Sequence, residues 1–414
     1  MRFALLLILL CTVFCCAATS HADTFGPALL RDHDQLDDNA TRSIILPYMF
    51  KSDSVGLAVG IGGGITGFQE GQMSVSGTAY IANKKAVAAY GLVSNVKVGQ
   101  IDRLFFDGLI SLGSYPDLWV FSGGGNAGSN DSSVNQRLKG RGHDNWFDTS
   151  FKYVLPWGGA KGKAISTYVL KDGLIDSGAT GGSEWNPLES GVTFLEFKPF
   201  LRDQTVTDDV FGKQVFETAG VRAAFRHDNT DFPMNPTTGS IQKFTVSQGL
   251  DVLPHSDTWT SLEFQASKFI SLGASDNARQ RVIGLNFWTA GVTSEDLPPP
   301  YEGATLGNTN RMRGFDDNRF NDRAVVYYSA EYRYMPKWNP FEDVEYVKVD
   351  WVQGTAFAEL ARVAHKWDPA TMHTDMKYDV GFRLSAMINK YLGRADFAFS
   401  DETWRIKVMF NHPF

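Results

Sequence analysis

The sequence predicts an all-β fold, a transmembrane antiparallel β-barrel of about sixteen strands. Three observations lead there. Apolar and polar residues alternate with a period of two in segment after segment, at lengths near the roughly 9–11 residues that cross a bilayer at a tilt. The composition joins 40 glycines to 30 phenylalanines and 10 tryptophans, a mixture common in large barrels and unusual in α/β enzymes. The chain also opens on an export signal.

That signal is expected over residues 1–22. Arg2 supplies the positive start, "FALLLILLCTVFCCAA" the apolar run, and Ser20-His21-Ala22 the small residues before cleavage at Asp23. A membrane anchor is the weaker reading, because the run is short for a spanning helix and a cleavage site follows it. Cys11, Cys15 and Cys16 all fall inside this segment, so the exported chain is expected to use no disulfide framework. Residues 23–50 begin acidic and polar and read as a short periplasmic tail; residues 51–414 read as the barrel domain. Past the signal there is no apolar run of about 18 residues, so any crossing of a membrane must be made by strands.

Candidate strands fall near 54–66, 72–82, 85–97, 101–112, 145–155, 162–172, 190–202 and 214–226. The second half adds 240–250, 258–270, 280–291, 324–335, 344–361, 376–389, 391–400 and 404–414. The alternation is plainest late in the chain. Val380, Phe382 and Leu384 oppose Gly381, Arg383 and Ser385, while Tyr328, Ala330 and Tyr332 oppose Ser329, Glu331 and Arg333. Trp404, Ile406 and Val408 likewise oppose Arg405 and Lys407. A sandwich and a membrane barrel share this pattern; the export signal, the aromatics near strand ends and the strand number favour the barrel. Turn chemistry separates the strands at "PWGGAKG", "PMNPTTG" and "MPKWNP". Residues 113–144 are too rich in Gly and Ser for one strand and read as a long connection with a short strand inside.

Chemistry-bearing motifs are weak. A net charge of −7 argues against nucleic acid as a partner. Gly62-Gly63-Gly64-Ile65-Thr66-Gly67 matches a dinucleotide fingerprint but sits inside an alternating strand with no helix after it, so strand curvature or a loosened barrel seam explains it better. The sequence offers no nucleophile elbow and no metal-ligand spacing, so no catalytic residue, metal or cofactor is expected.

Three segments, in order, resemble a known family. They are "TAGVRAAFRHDNTDFPMNPTTGSIQKFTVSQGL", "LGNTNRMRGFDDNRFNDRAVVYYSAEYRY", and the run from "YDVGFRLSAMI" through "GRADFAFS" to "VMFNHPF". Together they resemble the C-terminal barrel of the bacterial surface antigen family, the BamA/TamA-like outer-membrane assembly and translocation proteins. The resemblance implies that Arg313-Gly314-Phe315 is the tip of a long extracellular loop folded into the lumen. It implies inward acidic partners for Arg313, namely Glu331 and, in "AFAELA", Glu359. Such a pairing is what a partly desolvated guanidinium needs. The same likeness makes Phe410 and Phe414 part of a C-terminal assembly signal.

The resemblance also implies an integral outer-membrane protein in contact with lipid and lipopolysaccharide. Insertion of outer-membrane proteins or polypeptide translocation is the implied role, with assembly machinery, a polypeptide substrate or a periplasmic partner. Roughly 30 residues separate the cleavage site from the first expected strand, fewer than the POTRA modules of that family need. The alternative is a porin-like channel for small solutes, with residues 292–323 narrowing the pore.

Overall fold

The computed structural model describes residues 30–32, 41–52, 55–122, 126–182, 184–341, 348–388 and 391–409. The expected signal, residues 1–22, lies outside them. Three strands come outside or at the start of the main sheet: β1 (Leu30–Asp32), β2 (Arg42–Ser52) and β3 (Gly56–Thr66). They are followed by β4 (Ser74–Ala82), β5 (Val87–Lys97), β6 (Leu104–Val120) and β7 (Leu138–Val154). The middle holds β8 (Ser166–Lys171), β9 (Leu174–Ser177), β10 (Val192–Asp208), β11 (Gly212–Asp228) and β12 (Gly239–Leu250). Next come β13 (Thr260–Ser271), β14 (Ala278–Val292), β15 (Ala304–Leu306) and β16 (Phe320–Asp322). The chain finishes with β17 (Ala324–Pro336), β18 (Val349–Ala364), β19 (Lys377–Ile388), β20 (Tyr391–Ser400) and β21 (Trp404–Met409).

Sixteen of these form one antiparallel sheet in the order β2-β3-β4-β5-β6-β7-β10-β11-β12-β13-β14-β17-β18-β19-β20-β21. Neighbours in sequence are neighbours in the sheet, the up-and-down connectivity of a membrane barrel. A separate sheet holds β1, β8 and β9, and β15 pairs with β16.

Burial in the strands is inverted relative to a water-soluble protein. In β19, Val380, Phe382 and Leu384 are each close to half exposed, while Asp379, Arg383 and Ser385 are buried. Trp404 and Ile406 of β21 face outward and Lys407 is buried. Lipid accepts the apolar face, and the enclosed interior collects the charges, where they pair with one another. A second part of the interior is packed with apolar side chains: Tyr168, Phe232, Met335, Trp351, Met387 and Leu392 form one buried cluster.

The strand limits depart from the sequence reading in three places. Residues 42–50, expected as tail, belong to β2 and pair with β3, Pro47 opposite Ile61. Pro47 interrupts the pattern because it lacks an amide donor, and such a residue is tolerated at the end of a sheet, where β2 lies. Conversely, 162–172 is not a barrel strand; β8 within it pairs with β1 and β9. Its alternation is genuine, but a period of two does not say which sheet a strand joins. Gain and loss cancel, leaving the strand number at sixteen. Finally, 113–144 is strand at both ends, since β6 runs to Val120 and β7 starts at Leu138, with the connection between them. A register shift between Tyr115 and Leu118, at Pro116, breaks the alternation there. The glycines at 56–64 consequently sit in β3, one strand in from the end of the sheet.

An arginine placed on the outward face should be costly. Leu384→Arg is expected to lower folding stability in lipid by about 2–4 kcal/mol, the range for a cation near the bilayer midplane. Ser385→Thr, on the inward face, should change it little. Urea titration of the refolded protein, read by heat-modifiable gel migration, measures both.

Candidate functional site

The connection between β14 and β17, residues 293–323, does not stand out in solvent. It folds into the barrel: Tyr301, Leu306, Met312, Arg313, Phe315, Arg319 and Phe320 are all buried. Phe315 and Phe320 meet edge-on at 5.2 Å. Together with Met312 and Leu306 they pack against Trp288, Tyr327 and Val363 of the barrel wall. A polar-looking loop therefore carries its own apolar core into the lumen.

At its tip, Arg313 is fully buried. Its backbone amide donates to Glu359 Oε2 at 2.8 Å and its Nε to Glu359 Oε1 at 3.2 Å. Nη1 donates to Asp396 Oδ1 at 3.2 Å, and Nη2 lies 3.4 Å from Glu331 Oε1. The guanidinium plane sits over the Phe357 ring, 3.5 Å from its centroid. Tyr327 donates its hydroxyl to Glu359 as well.

Three more arginines complete the cluster. Arg383 donates to Asp396 Oδ1 at 2.5 Å and to both Glu331 oxygens at 3.1 and 2.7 Å. Arg333 lies 3.1 Å from Glu331 Oε2, and Arg394 lies 3.0 Å from Asp396 Oδ2. Arg394 also donates to the Thr309 carbonyl at 3.0 Å, reaching the loop from the β20 side. Four guanidinium groups thus share a dry space with the carboxylates of Glu331, Glu359, Asp379 and Asp396. Such a site is stable only when balanced, because an unpaired buried charge is expensive.

Gly314 follows because nothing larger fits. A Cβ there would lie 2.9 Å from the Asp379 Cβ and 3.1 Å from the Phe399 carbonyl carbon. Its amide donates to Asp379 Oδ2 at 2.7 Å, and its carbonyl accepts from Ser400 Oγ at 2.9 Å.

Beyond the tip the loop is held at two other places. On the far wall, Arg222 of β11 donates to both Glu302 oxygens at 2.8 Å, and the Tyr301 hydroxyl donates to the Phe216 carbonyl at 3.0 Å. Towards the last strand, Asp316 pairs with Arg405, Asp317 with Lys407 at 2.9 Å, and Arg319 with Glu402 at 2.6 Å. Burial pushes the Asp316 carboxyl up, against the pull of Arg405.

The sequence reading named Arg313, Gly314, Phe315, Glu331 and Glu359, and the structure brings these five together. It did not name Asp379, Arg383, Arg394 and Asp396 as partners. Their signal was present: Arg383 sits on the polar face of a predicted strand, and the others lie in segments already singled out. Phe410 and Phe414 lie outside the described residues. Among the described residues no cluster of metal-ligand type occurs.

Comparison with known proteins places this geometry. A family model described as the Omp85 superfamily domain matches residues 184–408, just over half of the chain and all the strands that hold the Arg313 cluster. Among solved structures, BamA from Haemophilus ducreyi lacking POTRA domains 1–3 superposes with a TM-score of 0.50 at 13% identity. That alignment covers 90% of this chain and 70% of the other. CdiB from Escherichia coli superposes with a TM-score of 0.53 at 12% identity, covering 89% of this chain and 61% of the other. At such identities the likeness speaks for the fold. No curated protein matches the chain.

Arg313→Ala should leave the carboxylates in excess and cost about 3–5 kcal/mol, the usual result of breaking a buried pair from one side. Glu359→Gln, which keeps the shape, should cost less. Gly314→Ala should destabilise through its clash with Asp379. The unfolding midpoint in urea, with limited proteolysis of the 293–323 loop as a second readout, checks all three.

Proposed function

The chain belongs to the Omp85 superfamily, and from that premise we propose that it is an outer-membrane barrel that inserts or translocates polypeptides. The observation that carries the reading is the seating of residues 293–323. This loop is tied to β11 on one side through Glu302 and to β17, β18 and β20 on the other through Arg313. A lumen crossed and packed in this way suits a protein whose client passes along the wall or displaces the loop. It suits a permanently open solute channel poorly.

The ends of the sheet support the same reading. Among the described pairings β2 ladders only with β3 and β21 only with β20. The neighbouring β3 carries Gly60, Gly62, Gly63 and Gly64, whose missing side chains weaken cross-strand packing. Arg405 and Lys407, inward residues of β21, are neutralised by Asp316 and Asp317 of the loop. Loop position and the terminal strand are therefore electrostatically linked. Polypeptide substrate, assembly machinery and lipopolysaccharide are the partners this function implies.

The test uses proteoliposomes holding the purified protein and an unfolded outer-membrane barrel precursor. Wild-type protein should speed the appearance of folded, heat-modifiable precursor over empty liposomes, and Arg313→Ala should slow it severalfold. In planar bilayers the wild type should give small, intermittent conductance. Large steady conductance together with no acceleration of precursor folding would replace this reading with the channel.

A further inference from the structure

The connection between β7 and β10, residues 155–191, is much longer than a barrel hairpin needs, and it does not stay near its own strands. β7 and β10 are sixth and seventh in the sheet, whereas β14 and β17 are eleventh and twelfth. In an up-and-down barrel these two connections fall at opposite ends. With the 293–323 loop extracellular, residues 155–191 lie at the periplasmic mouth.

There the segment crosses the opening. Its root is fastened beside β10, where Trp157 Nε1 donates to Thr193 Oγ1 at 2.9 Å. Its far tip is the β8–β9 turn, Asp172-Gly173, with φ of 51° and 71°, a tight hairpin of the Asp-Gly kind. That tip meets β18, thirteenth in the sheet: Trp351 Nε1 donates to the Gly173 carbonyl at 2.9 Å. Arg279 of β14 donates to the Asp172 carbonyl at 3.2 Å. Between root and tip, Tyr168 packs on Phe232 with ring centroids 5.3 Å apart and joins the buried cluster of Met335, Trp351 and Met387. The result is a lid reaching from the seventh strand of the sheet to the thirteenth.

The lid has one edge that already accepts a strand. β9 covers one side of β8, and on the other side Leu30–Asp32 pairs with Ser166–Tyr168 in parallel, Arg31 opposite Thr167. The two segments are far apart in sequence, and main-chain pairing sets them in register. A strand edge that takes up a remote extended segment through its backbone selects for extended conformation more than for sequence.

We propose that the β8 edge of this lid is a docking site for extended, unfolded polypeptide at the periplasmic mouth, with the chain's own Leu30–Asp32 as resident occupant. The proposal rests on the insertion reading above and supplies the place where a client is first held. Displacement of β1 exposes the edge; the client adds as a strand beside β8, directly below the lumen.

The probe is a fluorescent peptide with the sequence of residues 26–36, GPALLRDHDQL. Its binding to the full chain in detergent is followed by anisotropy. Leu30→Pro removes an amide from the resident strand and should raise peptide affinity about tenfold, a change of about 1.4 kcal/mol. In a background with Cys11, Cys15 and Cys16 changed to serine, Arg31→Cys with Thr167→Cys should form a disulfide on oxidation and abolish binding; reduction should restore it. Heat-modifiable migration confirms that each variant keeps its barrel. Equal binding by wild type, Leu30→Pro and the oxidised pair, or no binding by any, overturns the proposal. Peptide binding that behaves as expected while precursor folding in proteoliposomes is not accelerated would keep the docking site and remove the insertion reading. Accelerated folding that the oxidised pair leaves untouched would do the reverse.

Discussion

The structure turns on the electrostatic balance around Arg313. A guanidinium with no access to solvent survives only with carboxylates around it, and Glu331, Glu359 and Asp396 come from three different strands. Satisfying one charge therefore fixes the relative positions of β17, β18 and β20 and the depth to which the loop descends. Arg333, Arg383 and Arg394 share the same carboxylates, so none of these groups can be removed without leaving a neighbour short. The cluster is a single cooperative unit more than a set of pairs.

An interior of this kind is possible because the barrel has turned its hydrophobicity outward. Lipid takes Val380, Phe382 and Leu384, leaving the enclosed face free for charges that no water-soluble core would hold in such density. The loop then supplies what the wall lacks. Met312, Phe315 and Phe320 give it an apolar body, while Glu302, Asp316 and Asp317 meet the basic residues Arg222, Arg405 and Lys407. Polar and apolar contacts together hold a segment that would otherwise lose much conformational entropy on entering the lumen.

Both ends of the lumen are thus occupied by the chain's own connections, though in different ways. The upper one is held by buried charge, which resists displacement unless its partners are replaced. The lower one is held by apolar packing and by a few hydrogen bonds to carbonyls, as at Trp351 and Gly173. Contacts of that kind open at lower cost, which makes the lower segment the more readily moved of the two.

By itself the sequence determined the fold class and the face on which each late residue lies. Both follow from a local period of two that lipid on one side and a lumen on the other impose on every strand. Through the resemblance of three of its segments to a known barrel family, it also pointed to Arg313, Glu331 and Glu359. Only the tertiary structure decided which strands join which sheet: 42–52 entered the barrel despite Pro47, and 166–171 left it despite good alternation. It alone brought Asp379, Arg383, Arg394 and Asp396 to the loop tip, and Glu302 to Arg222. The reason is physical. Alternation is a property of neighbouring residues, whereas the pairing of a buried charge depends on which distant strands the fold sets around it.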